Sequence, residues 1–201
     1  ATDRIDLLQA HSWDDRTGLD ETLQALDEVT RQGKVRACGC SNWEAPQLHQ
    51  ALSAAADSGW EPLQSVQPIY NLADRRIEEE LLGFCSKQRL GVLTYSPLGA
   101  GFLTGKYRRG APVPAGTRFD VIPGHQDIYF TDDGFRAVEG LESAAADAGL
   151  SMVHLALSWV FRRVGITSVL IGARTPGHVD QAFSALDTAG SGEFQDRLDR
   201  L

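Results

Sequence analysis

The sequence predicts a parallel α/β fold, on three observations. Five short apolar or β-branched segments alternate with stretches whose apolar residues recur at helical spacing. The connections between them are short, as in strand–helix–strand units. The strand segments read as near-continuous apolar runs, the pattern of parallel strands buried on both faces. A doubly wound sheet and a (β/α)8 barrel both satisfy this pattern, and no self-similar repeat separates them.

Ile5 to His11 reads as a buried strand, followed by a polar loop from Ser12 to Gly18. Leu19, Leu23, Leu26 and Val29 mark a helix that Gly33 stops. Val35 to Cys40 is a second strand, ending in Ser41-Asn42-Trp43. Pro46 suits the first turn of a helix with Leu48, Ala51, Leu52 and Ala55 on one face. Leu63 to Gln67 is a third strand, and Asp74 can cap a helix that turns Ile77, Leu81, Phe84 and Cys85 inward. Val92 to Tyr95 is the fourth strand.

Gly110 to Phe130 breaks the rhythm and reads as a long loop, of the kind that is functional, a lid or disordered. Thr131 caps a helix carrying Phe135, Val138 and Leu141 and stopped by Gly149; Ser151 caps an almost wholly apolar one, Met152 to Phe161. Ser168 to Ile171 is the fifth strand. Thr175-Pro176 then opens a helix with an apolar face of Val179, Ala182, Phe183 and Leu186. The tail from Thr188 reads as polar and loosely held.

With 201 residues and 42% hydrophobic content the chain can bury a sizeable core as a single domain over residues 1–201. A net charge of −8 argues against nucleic acid or an anionic membrane as partner. There is no apolar run of bilayer-spanning length and no signal-peptide layout. Three cysteines, an odd count, suit a reducing compartment, hence a cytoplasmic protein. The five histidines offer no metal-ligand spacing. The chain starts at Ala1 and enters a strand within a few residues, as if its beginning were missing.

The fourth strand runs into a loop with three glycines and a lysine, Gly99, Gly101, Gly105 and Lys106. Such a loop suits an anion, because glycine lets the backbone approach and its N–H groups donate. It is not a P-loop, since Ala100 stands at the first glycine position and Tyr107 follows the lysine. It is not the dinucleotide fingerprint either, since Thr104 stands where glycine is needed. In both candidate folds function gathers at the C-terminal ends of the strands. Those ends carry His11, Ser41-Asn42, Gln67 with Tyr70, Tyr95-Ser96 and Gly172-Ala173-Arg174. Arg174 precedes a capped helix start, which adds dipole and charge at one anion site. Together with the glycine loop it suggests an extended ligand with more than one phosphate.

As a set, these segments resemble the aldo-keto reductases, in the branch that includes bacterial reductases and potassium-channel β subunits. The resemblance lies in Asp6-Leu7-Leu8-Gln9-Ala10-His11-Ser12-Trp13-Asp14, Gln32-Gly33-Lys34-Val35-Arg36 through Gly39-Cys40-Ser41-Asn42-Trp43, Gln67-Pro68-Ile69-Tyr70-Asn71-Leu72, Tyr95-Ser96-Pro97-Leu98 through Lys106-Tyr107, and Ile171-Gly172-Ala173-Arg174. It implies a (β/α)8 barrel that binds NADP(H) in extended form and reduces aldehydes or ketones. His11 would orient the substrate carbonyl and Trp13 would line the substrate pocket. Ser41, Asn42 and Gln67 would hold the nicotinamide carboxamide, and Tyr95 would stack on the ring. Ser96, Pro97, Leu98, Gly99, Gly101 and Lys106 would wrap the pyrophosphate, and Arg118 would lie over the adenosine. Gly172, Arg174, Thr175, His178 and Gln181 would surround the 2′-phosphate. On the last helix, His178 and Ala182 stand where the family often has Gln and Asn.

The resemblance starts at about the family's fourth strand, so the chain would supply about five of eight β/α units. The family's catalytic Asp, Tyr and Lys lie on the first three, and neither Tyr70 nor Tyr95 matches the place of the tyrosine. The chain as given is therefore expected to be a truncated, inactive portion of a reductase. The alternative is a non-catalytic NADP(H)-binding regulatory subunit. A five-stranded flavodoxin-like domain is a third reading. A small-molecule carbonyl substrate is the implied partner, and a homo-oligomer is left open.

Overall fold

The computed structural model describes residues 2–187 and 192–201. Its strands are β1 (Ile5–Ala10), β2 (Val35–Ser41), β3 (Ser65–Gln67), β4 (Gly91–Thr94) and β5 (Ser168–Val169). The helices are α1 (Leu19–Arg31), α2 (Ala45–Ser58), α3 (Leu81–Gln88), α4 (Arg118–Val121), α5 (Gln126–Tyr129), α6 (Asp132–Ala148), α7 (Met152–Phe161), α8 (Pro176–Asp187) and α9 (Gly192–Leu198). The strands form one sheet in the order β1-β2-β3-β4-β5, parallel in each registered pair. A doubly wound sheet reverses its strand order at a switch point, whereas a barrel adds strands in sequence. The unbroken order belongs to the barrel class.

Two compact units divide the chain. The first takes the described residues of Ala1–Pro68, Ile77–Leu93 and Gly165–Ser168; the second takes those of Ile69–Arg76, Thr94–Val164 and Val169–Leu201. In the first unit β2 is central, and Cys38 and Cys40 lie in the core with Leu48, Ala51, Val66 and Val92. A Cβ on Gly39 would come within 2.2 Å of the Ser65 Oγ, so the close approach of β2 to β3 requires glycine. A capping box, in which the Glu44 N–H donates to the Gln47 side chain at 2.8 Å, starts α2 beside Pro46. Asp27 on α1 is a buried carboxylate. It accepts from the Glu61 N–H at 2.9 Å and pairs with Arg31 at 2.7 Å, which fixes the connection into β3. All three cysteines are free and buried.

In the second unit α6 and α7 are capped as the sequence predicts. Thr131 accepts from the Gly134 N–H at 3.0 Å and Ser151 from the His154 N–H at 3.1 Å. Residues 154–160 of α7 are buried throughout. The guanidinium groups of Arg75 and Arg163 lie over the Trp159 ring, 5.3 and 4.8 Å from its centre. Its indole N–H donates to Asp199 at 2.7 Å.

Five expectations are corrected. β1 is not buried: it ends the strand order, and Ile5 is 48% exposed. The stretch from Asp74 is not one helix: a 3-10 turn, Arg76–Glu78, comes first. The Asp74 backbone pairs both ways with Asn71 at 3.1 Å, its carboxylate takes the Arg76 guanidinium at 2.7–2.8 Å, and the α-helix begins at Leu81. Residues 110–130 are not one loop, because Phe119, Tyr129 and Phe130 join a cluster with Phe102, Tyr107 and Phe135 that folds two short helices. The face of α8 that docks is Ala182 and Ala185 against Leu157, while Val179, Phe183 and Leu186 are exposed. Small residues let α8 approach α7 closely enough for the Ser158 hydroxyl to donate to the Ala185 carbonyl at 2.9 Å. The tail from Thr188 is not loose where described: α9 buries Leu198, and Asp199 is held by Trp159 and Arg163. Residues 188–191 lie outside the described residues.

Candidate functional site

The candidate residues divide between the two units. In the first, His11 follows β1 and is exposed. The Asn42 amide donates to the His11 carbonyl at 3.1 Å, tying the end of β2 to the end of β1. The Asn42 N–H donates to the Gln67 carbonyl at 3.2 Å and the Ser41 hydroxyl to the same oxygen at 2.7 Å. Asn42 takes a left-handed φ of 59°, which asparagine tolerates because its short polar side chain bonds locally. The ends of β1, β2 and β3 therefore meet as expected. Part of the polar capacity of Ser41 and Asn42 is spent on neighbouring carbonyls, which fixes these side chains in place. Trp13 packs edge-on against Trp43 with ring centroids 4.9 Å apart, and its N–H donates to Asp15 at 2.7 Å. Trp43 is an aromatic partner that sequence reasoning quoted but did not place at the site.

In the second unit, the segment after β4 makes a run of left-handed turns at Ser96 (φ 56°), Gly99 (57°), Ala100 (55°) and Gly101 (93°). Leu98, near the right-handed region at φ −103°, precedes left-handed Gly99, and the turn closes on itself, the Gly99 N–H donating to the Ser96 carbonyl at 2.9 Å and the Gly101 N–H to the Leu98 carbonyl at 3.0 Å. The Lys106 ammonium lies 2.8 Å from the point a Cβ on Gly101 would occupy and 5.3 Å from the Tyr107 ring centre. Behind the loop, the Tyr129 ring lies 3.1 Å from the corresponding point on Gly99. Phe102 ties the loop to Phe119, and Arg118 is exposed on the same short helix.

The end of β5 follows the same direction. The Leu170 N–H donates to the Thr94 carbonyl at 2.7 Å, so one strand runs on into Tyr95-Ser96 and its neighbour into Gly172–Arg174. Residues 171–180 are exposed. The Arg174 N–H donates to His178 Nδ1 at 3.2 Å, closing the start of α8, so the His178 atom left to meet an outside partner is Nε2. Thr175 accepts from the His178 N–H at 3.1 Å through its carbonyl, and Gln181 is half-buried one turn on. An exposed arginine at the start of a 12-residue helix and an ammonium over a left-handed glycine loop suit anionic groups. Among the described residues no group of three His, Cys, Asp or Glu could hold a metal ion.

Sequence reasoning missed Asn71 and Tyr129. Asn71 is fully buried, and its amide reaches the Ser96 carbonyl at 3.0 Å and the Tyr129 hydroxyl at 3.4 Å. Burial pushes the Tyr129 phenol up to about 12. Of the four tyrosines, Tyr70, Tyr107 and Tyr129 are buried, which leaves Tyr95 as the half-buried one.

A parallel sheet in unbroken sequential order defines an α/β scaffold of the barrel class. The Aldo/keto reductase family model matches residues 1–201, and the chain belongs to that family. It is 34% identical over 189 residues to a probable voltage-gated potassium channel subunit beta of Oryza sativa subsp. japonica, covering 92% of this chain and 57% of that protein. It is 33% identical over 180 residues to the aldo-keto reductase YhdN of Bacillus subtilis (strain 168), covering 89% and 52%. Among solved structures, the glycerol dehydrogenase AKR11B4 of Gluconobacter oxydans superposes with a TM-score of 0.77 at 30% identity, covering 98% of this chain and 58% of that one. The chain spans about half the length of the curated relatives it matches.

Proposed function

We propose that residues 1–201 form the NADP(H)-binding portion of a carbonyl reductase in the cytoplasm. The observation that carries this reading is the pairing of two cationic anion sites in the second unit, Lys106 over Gly101 and Arg174 at the start of α8. The residues fit a dinucleotide phosphate: loop 96–106 and Lys106 would hold the pyrophosphate, and Arg174, Thr175 and His178 Nε2 the 2′-phosphate. In the same unit Tyr95 would face the nicotinamide ring and Arg118 the adenosine. In the first unit Ser41, Asn42 and Gln67 would orient the carboxamide, His11 would donate to the substrate carbonyl oxygen, and Trp13 would wall the substrate. When bound, the reduced nicotinamide supplies a hydride to a carbonyl carbon.

The reaction also needs a proton at the carbonyl oxygen. Three of the four phenols in the chain are buried in the second unit, so they are poorly placed to give it. This supports the reading that residues 1–201 alone do not turn over aldehydes. NADPH-dependent reduction of a reactive aldehyde by the isolated chain, above a no-protein control, would overturn that part.

The cofactor assignment has its own test. Arg174→Ala raises the Kd for NADPH about tenfold or more, the worth of one charge-assisted contact, and leaves the Kd for NADH nearly unchanged. Equal effects on both would reject the 2′-phosphate site. The channel-subunit name of the rice relative favours a second reading, a regulatory NADP(H)-binding subunit. That reading requires cofactor binding without turnover.

A further inference from the structure

We propose that Asn71 is a positioning residue for the phosphate loop: its amide holds the Ser96 carbonyl and so sets the left-handed start of the turn that runs to Lys106. This rests on the reading that loop 96–106 binds the dinucleotide.

The orientation of the Asn71 amide follows from its partners. The Ala73 N–H can only donate, and it meets the side-chain oxygen at 2.9 Å, so the other terminal atom is the amino group. That group donates to the Ser96 carbonyl at 3.0 Å and to the Tyr129 hydroxyl at 3.4 Å. The Asn71 backbone is pinned as well, paired both ways with Asp74 at 3.1 Å. One residue earlier, the Tyr70 N–H donates to the Tyr95 carbonyl at 3.2 Å. Two consecutive peptide groups after β4 are thus held by two consecutive residues of segment 69–76, one by backbone and one by side chain. The Ser96 carbonyl also accepts from the Gly99 N–H at 2.9 Å, so the atom that Asn71 holds is the one that closes the first turn of the loop.

Ser96 is neither glycine nor asparagine, and a left-handed φ of 56° there is held by its surroundings rather than by preference. Asn71 makes the side-chain contact that supplies part of this hold. Without it the Ser96 peptide is free to relax toward the right-handed or extended region. That would redirect the N–H groups of Leu98–Gly99 and move Gly101 away from Lys106.

Asn71→Asp isolates the donor. It keeps the acceptor for the Ala73 N–H and places an acceptor where Ser96 needs a donor. Asn71→Ser, which adds no charge and is too short to reach Ser96, is the second variant should the aspartate fail to fold. NADPH and NADH are titrated against the chain by fluorescence, with circular dichroism confirming the folded state and a thermal melt recording stability. The expected result is that both Kd values rise by the same factor, about tenfold, on folded protein, because both dinucleotides carry the pyrophosphate. A merely structural role would lower Tm and leave the affinities of the folded protein unchanged, which overturns the proposal. A rise confined to NADPH also overturns it, since the effect would then belong to the 2′-phosphate site. If the unsubstituted chain binds neither dinucleotide, the functional reading itself fails, and this inference with it.

Discussion

The ammonium of Lys106 occupies the space that a side chain on Gly101 would take, 2.8 Å from the missing Cβ. The glycine therefore does two jobs: it accepts a φ of 93° and it leaves room for the charge. Gly101→Ala imposes a left-handed alanine, at a cost of about 1–2 kcal/mol, and pushes Lys106 aside. The expected outcome is a Kd for NADPH raised about tenfold or more, with a similar loss in Lys106→Met. Fluorescence titration of both variants checks it; an unaffected Gly101→Ala would show that Lys106 reaches its partner from elsewhere.

The exposed stripe on α8 gives a second prediction. Phe183 is 63% exposed, so Phe183→Ala removes little buried surface and changes unfolding free energy by less than about 1 kcal/mol. Ala185 is fully buried against α7, and Ala185→Leu forces atoms into a filled interface at about 1–3 kcal/mol. Urea unfolding of the two variants should show the smaller residue to be the sensitive one. The reverse order would restore the face that the sequence pattern predicts.

That reversal shows what the sequence could and could not convey. Val179, Ala182, Phe183 and Leu186 fall at helical spacing, so periodicity selects them as the buried face, and of these Ala182 is buried while the three larger residues are exposed. Periodicity says which residues share a face, not which face docks, and close approach of α8 to α7 favours Ala182 and Ala185. The caps Thr131 and Ser151 were legible because their action is local, within one turn. Strand order was legible only as an alternation of strands and helices; its unbroken sequence needed the sheet itself. At the site, the strand-end residues could be named because parallel α/β folds place function there, and the glycine loop because of its composition. Asn71 was missed because its partner Ser96 is 25 residues away and no local pattern links them. Trp43 was passed over because its contact with Trp13 joins the ends of two different strands.

The three buried thiols, all in the first unit, report on that unit by itself. Burial pushes Cys85 up to about 11 and Cys40 further still, so little reactive thiolate exists at neutral pH. Alkylation of the native chain at pH 8 should be slow at all three and should accelerate together as denaturant opens the unit. Fast labelling of Cys40 without denaturant would contradict its burial between β1 and β3.

Asp27 links the fold to pH. The Glu61 N–H and the Arg31 guanidinium stabilise its charged form and hold its carboxyl below the ordinary 3.8, against an opposing contribution from burial. A folded-state value below the unfolded one means that Asp27 contributes stability above about pH 4. That contribution is lost as pH falls through the folded-state value. Asp27→Asn keeps an acceptor for the Glu61 N–H and removes the charge that Arg31 pairs with. Melting curves of the parent and Asp27→Asn should therefore be well separated at pH 7. They should converge as the pH is lowered below about 4 and the parent carboxyl also becomes neutral. A separation that stays unchanged however far the pH is lowered would mean that the asparagine acts through packing and not through charge.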